Sequence, residues 1–167
     1  MRHAGLVHIR VGEDDFDVSA ELQALRRDRQ GIGAVAVFVG TVRDINEGDA
    51  VSSMYLEHYP GMTERSLEEI AARALERWRL EALSIVHRVG WLHPGEQIVL
   101  VAAGSAHRQN AFEACAYVMD YLKTDAPFWK KERTPEGERW VEARASDEEA
   151  RSRWLNAPQN GLLQRPP

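Results

Sequence analysis

The stretch from Ser105 to Glu132, SAHRQNAFEACAYVMDYLKTDAPFWKKE, constrains the fold of this chain more than any other. Its middle is an apolar helix pattern with almost no charge. Such a helix belongs in a core, and strand patterns flank it on both sides. Cations stand at its two ends: His107 and Arg108 at the start, Lys123, Lys130 and Lys131 at the close. The chain as a whole carries a formal net charge of -5, so these cations form local concentrations and not a basic surface.

The remaining segments alternate between the two periods. AGLVHIRV alternates as a strand, and SAELQALRR sets Leu22 and Leu25 on one side of a short helix. Gly31 and Gly33 break the chain before the valine-rich strand AVAVFVGTVRD. INEGDA reads as a turn or loop, and VSSMYLEHY as a second strand paired with the previous one. Thr63 is placed to cap a helix over 64–78 with Leu67, Ile70, Ala71, Ala74, Leu75 and Trp78 on its apolar face. LSIVHRVGWL and QIVLVAAGS are two strands joined by the turn HPGE. FWKKERT and RWVEAR form a hairpin around PEGE, and SDEEARSRW is a short helix capped by Ser146. The order β-α-β-β-α-β-β-α-β-β-α predicts an α+β fold. Its mixed or antiparallel sheet has helices packed on one face, with a small β-hairpin subdomain. One domain over 1–155 is expected, with a disordered tail at 156–167.

Several classes are disfavoured. No apolar run approaches the roughly 18 residues that span a membrane, and Glu13, Asp14 and Asp15 interrupt any signal-peptide core. One cysteine, Cys115, allows no internal disulfide, which suits a reducing cytoplasm. The acidic balance argues against nucleic acid as a partner. An RNA-binding domain using Phe128, Trp129 and Lys130 remains an alternative, as does a non-catalytic module that binds anions and docks a ubiquitin-like protein. The six histidines have no metal-ligand spacing, so no metal is expected. Cys115, among Phe112, Val118 and Met119, reads as a small core residue.

Chemistry concentrates at the cations. Ser105 is a natural N-cap, and His107 and Arg108 fall in a first helical turn, where unpaired N–H groups favour an anion. Surface arginines at such positions are also common. Lys123 in a last turn is equally what the helix dipole favours structurally. Lys130 and Lys131 alternate on a strand, so at most one lines any pocket; both could instead be a charged strand edge. Arg43 ends an apolar strand after Gly40, placed to clamp a phosphate or to pair with Asp44 or Glu47. Arg108 and Lys123 are 15 residues apart, about 22 Å along a straight helix. No small ligand touches both, so either two sites exist or one is assembled from two chains.

FVGTVRDINEGDAV, LEHYPGMTE, SAHRQNAFEACAYVMDYLKTDAPFWKKE and PEGERWVEAR closely resemble the large, catalytic subunit of molybdopterin synthase. The resemblance runs from about residue 5 to 155. It implies an α/β hammerhead-like fold and a homodimer with one small subunit at each end, a heterotetramer. The small subunit is a ubiquitin-like sulfur carrier ending in a glycine thiocarboxylate. Two sulfurs pass to cyclic pyranopterin monophosphate, giving the molybdopterin dithiolene, with no metal and no cofactor. Carried over by position, substrate contacts fall on Thr41, Val42, Arg43, His107, Arg108, Lys123, Lys130, Lys131 and Glu132. His107 and Arg108 would come from the neighbouring copy, and Phe38 and Met119 would be apolar walls. Lys123, Lys130 and Arg43 are the expected catalytic residues.

Overall fold

The computed structural model describes residues 5–142 and 145–156. The expected disordered tail lies outside the described residues, apart from Asn156, which ends the last helix.

The first sheet is built from β1 (Leu6–Gly12), β2 (Ala34–Thr41), β6 (Ala82–Arg88) and β8 (Gln97–Ser105), in the order β1-β6-β8-β2. β1 runs parallel to β6, and the other pairs are antiparallel. Every residue of β6 is buried, as is β8 from Val99 onward. Strands apolar on both faces need cover on both. The long helices α2 (Met62–Trp78) and α3 (Arg108–Asp125) pack on one face, burying Leu67, Ile70, Val118 and Leu122 against Leu83, Ile85 and Val101. On the other face Phe16 and α1 (Val18–Arg26) cover Ala82, Val86, Leu100 and Ala102. The mixed sheet of the expected α+β fold is present, with one helix more on the far side than the pattern suggested.

The second sheet is antiparallel, in the order β10-β9-β5-β7. It comprises β5 (Ser53–His58), β7 (Gly90–Leu92), β9 (Phe128–Thr134) and β10 (Gly137–Val141). Its inner face, with Met54, Leu56 and Leu92, packs with Val42 and Val89 as a separate small core. β5 does not pair with β2, contrary to the sequence expectation. β2 lies along β8, and β5 lies between β9 and β7. The intervening residues explain this. INEGDA is no open loop but a short hairpin of β3 (Ile45–Asn46) and β4 (Asp49–Ala50), turned by Glu47 and Gly48 at positive φ. It carries the chain out of the first sheet before β5 begins. The run LSIVHRVGWL is likewise split at Val89, where Gly90 at φ 82° turns β7 into the second sheet.

Two helix starts differ from the sequence reading. α2 begins at Met62, and Glu64 accepts a 2.6 Å hydrogen bond from the Gly61 N–H. Thr63 is buried and donates instead to the Tyr59 carbonyl at 2.8 Å. Ser105 stays in β8, where its carbonyl accepts from Gly33 N–H at 3.0 Å, so His107 becomes the N-cap of α3 and Arg108 its first residue. The final helix, α4 (Ala145–Asn156), docks through Trp154, whose ring meets Trp78 and Tyr117 edge-on while Nε1 donates to Asp120 at 2.7 Å.

Candidate active site

A cavity of about 540 Å³ opens between the two sheets and the C-terminal end of α3. β2 supplies Phe38 and Thr41, and the chain just after it Val42 and Arg43; α3 supplies Met119 and Lys123; β9 supplies Lys130 and Glu132. Ser146 and Asp147, at the start of α4, complete one rim. The topology makes this convergence. The end of β2, the last turn of α3 and the inward side chains of β9 all border this one cavity.

Strand alternation sorts the two neighbouring lysines. Lys130 points inward, its Nζ 3.5 Å from Glu132 Oε1. Lys131 points to the outer face of the sheet, 3.1 Å from Glu138 and over the rings of Tyr55 and Trp140. Lys131 is therefore not brought to the cavity by its own chain. Neither are His107 and Arg108, which are exposed at the opposite end of α3. The structure thus gathers Thr41, Val42, Arg43, Lys123, Lys130, Glu132, Phe38 and Met119, and leaves three of the proposed substrate contacts outside.

Glu132 is the charge centre of the floor. It is 3% exposed, yet it is surrounded by donors. Asn46 Nδ2 donates to Oε1 at 2.8 Å, and Arg139 donates to Oε2 at 3.3 Å. Arg43 in turn donates to Asn46 Oδ1 at 3.3 Å. The carboxylate thus lies at ion-pair distance from both Lys130 and Arg139. Lys123 is exposed to the cavity and has no carboxylate at ion-pair distance among the described residues.

His87 was not singled out in the sequence, where it sits inside an apolar strand with no motif around it. It lines the cavity, stacked on Phe128 with ring centroids 3.8 Å apart and 14° between planes. Nδ1 lies 2.7 Å from the Arg88 carbonyl, which can only accept, so Nδ1 carries the proton and Nε2 is left as an acceptor. Burial pushes its pKa down to about 4, aided by the charge of Lys123 and opposed by the bond to Arg88. The ring is neutral at neutral pH and adds a polar but uncharged wall.

Cys115 is buried in the core between α3 and the first sheet, its Sγ 3.6 Å from the Val101 carbonyl, and burial raises its thiol to about 11. It is no thiolate nucleophile. Among the described residues no cluster of His, Cys, Asp or Glu could hold a metal ion, and no helix is long and apolar enough to cross a membrane. The arrangement suits binding and positioning of anionic reactants between an apolar wall and fixed cations.

Comparison with known proteins identifies the family and the fold. The family model described as MoaE protein matches residues 11–125. The molybdopterin synthase catalytic subunit of Pseudomonas aeruginosa is 61% identical over 146 residues, covering 87% of this chain and 97% of that protein. That of Ralstonia nicotianae is 60% identical over 146 residues, covering 87% of this chain and 83% of that protein. Among solved structures, the molybdopterin biosynthesis MoaE protein of Burkholderia ambifaria superposes with a TM-score of 0.78 at 56% identity, over 91% of this chain and 100% of that one. The molybdopterin synthase of Staphylococcus aureus superposes with a TM-score of 0.72 at 31% identity, over 80% of this chain and 96% of that one. With a model match across most of its length and relatives at such identity, the chain belongs to the MoaE protein family.

Proposed function

We propose that this chain is the catalytic subunit of a molybdopterin synthase, a sulfurtransferase of molybdenum cofactor biosynthesis. One observation carries this most: Arg43, about 80 residues before Lys123 and Lys130, lines one cavity with both of them against an apolar wall in an otherwise acidic chain. Both reactants are anionic. One is the C-terminal thiocarboxylate of a small ubiquitin-like carrier, and the other is cyclic pyranopterin monophosphate. The sulfur attacks a side-chain carbon of the pterin and the cyclic phosphate opens. The acyl link to the carrier is then hydrolysed, and a second carrier repeats the transfer.

The residues divide the work by their surroundings. Arg43 presents a fork of donors to phosphate or carboxylate. Lys130, tied to Glu132 at 3.5 Å, supplies fixed positive charge. Lys123, without a carboxylate partner among the described residues, is the amine suited to move protons. No metal or cofactor enters the scheme, which is placed in the cytoplasm.

His107 and Arg108 reach a cavity only if a second copy brings them. β2 is an edge strand with exposed Val37, and α3 exposes Phe112, an apolar edge that suits self-association. A homodimer with a carrier at each end supports this arrangement of the site. The test is turnover: purified protein, thiocarboxylated carrier and cyclic pyranopterin monophosphate, assayed for dithiolene. Wild type should form product, and Lys123→Ala should lose at least about 100-fold. Tight carrier binding with no product would overturn the assignment in favour of a docking module.

A further inference from the structure

We infer that Asn46 is a positioning residue of this cavity, the neutral link that holds Arg43 in register with the Glu132–Lys130 pair. The inference rests on the reading that the cavity takes an anionic substrate. Asn46 sits on a two-residue strand whose neighbours Ile45, Glu47 and Gly48 are exposed, yet it is itself 4% exposed. The hairpin does not impose that burial; the contacts do. Nδ2 donates to Glu132 Oε1 at 2.8 Å, and Oδ1 accepts from Arg43 at 3.3 Å. An ionised carboxylate only accepts and a guanidinium only donates, so these partners dictate the amide orientation.

The chemistry calls for an amide. A carboxylate at 46 would face Glu132 with like charge and would neutralise Arg43. A lysine could not accept from Arg43. An amide meets both partners and leaves the charge of Arg43 available to a substrate. Arg139 latches the hairpin from the other side, donating to Glu132 Oε2 at 3.3 Å, to the Asn46 carbonyl at 3.5 Å and to Asp49 at 2.6 Å. Arg43 comes just after β2 and Lys130 from β9, strands in different sheets. Asn46 is the side chain that spans them.

The test uses the full chain with its carrier, comparing wild type, Asn46→Ala and Asn46→Asp between about pH 5.5 and 8. Asn46→Ala should lower kcat/KM for the pterin about 10- to 100-fold while the variant stays folded at the assay temperature and carrier affinity stays near wild type. Asn46→Asp adds a titration that wild type lacks. Facing the site are Arg43 just after β2, Lys130 and Glu132 from β9, Arg139 from β10, Asp49 from β4, Lys123 from α3, neutral His87 from β6, Glu142 after β10 and Asp147 from α4. These are common to both proteins, so activity is taken relative to wild type at each pH. That ratio should rise as pH falls, because a protonated carboxyl at 46 regains a donor for Glu132. A merely structural role would leave the ratio flat. Asn46→Ala within about threefold of wild type, or a flat ratio for Asn46→Asp, would overturn the inference. If wild type makes no dithiolene, the functional assignment fails by itself and binding of inorganic pyrophosphate decides: about 10-fold weaker binding to Asn46→Ala supports the link, and equal binding overturns it.

Discussion

Lys123 and Arg108 lie on the same helix, and only Lys123 reaches the cavity. Their separation of 15 residues is about 22 Å at the rise of an α-helix. The cations at both ends of α3 could serve one pocket only if a second copy of the chain brought Arg108 to it.

The inward and outward lysines of β9 should behave differently. Lys130→Ala removes a charge that faces the cavity beside Glu132, and turnover should fall about 100-fold. Lys131→Ala cuts an outer pair with Glu138 that is worth little, and turnover should stay within about threefold of wild type. Steady-state kinetics of the two variants side by side checks this.

Glu132→Ala should cost stability as well as activity. It strips the acceptor from Asn46 and Arg139, both of which bond to a carboxylate that is 3% exposed. A loss of about 2 kcal/mol is expected, since Arg139 and Lys130 can partly regain water. Urea unfolding followed by tryptophan fluorescence measures it.

His87 sets a pH dependence of stability. Its pKa is about 4 in the folded chain against an ordinary value of 6.5. Between these values the unfolded chain binds the extra proton, so stability is full above about pH 6.5 and falls as pH drops toward 4. The difference corresponds to about 3 kcal/mol. His87→Phe keeps a ring to stack on Phe128 but cannot titrate. Its unfolding free energy should vary less with pH over that window, as urea titrations at a series of pH values would show.

Trp154 anchors α4, whose first turn borders the cavity with Ser146 and Asp147. Trp154→Ala should destabilise the protein by about 2 kcal/mol, less than a fully buried tryptophan because the ring is only half-buried. Thermal unfolding should register this as a lower Tm, with loosened α4 amides in hydrogen exchange.

Much of this was legible in the sequence, because periodicity reports burial. The apolar faces of α2 and α3 are the core as read, and Lys130 and Lys131 part company as alternation requires. Pairing was harder. Nothing local tells β5 to lie beside β9 and not β2, since both choices bury the same apolar residues; the short hairpin at Ile45–Ala50 decides it. Ser105 looks like a cap in isolation, but its bond from Gly33 belongs to a contact distant in sequence. Asn46 reads as a turn residue, and His87 as one more residue of an apolar strand. Their roles come from partners on other elements, and no local pattern carries that information.

The most direct measurement is complementation between two inactive variants. Lys123→Ala and Arg108→Ala, each assembled alone, should make little dithiolene from thiocarboxylated carrier and cyclic pyranopterin monophosphate. Unfolded together in equal amounts and refolded, half of the pairs are mixed, and each mixed pair holds one intact site and one doubly damaged site. The account predicts recovery to about a quarter of wild-type turnover. Activity that stays at the level of the separate variants, with mixed pairs shown to form and wild type active, would contradict a pocket shared between two copies.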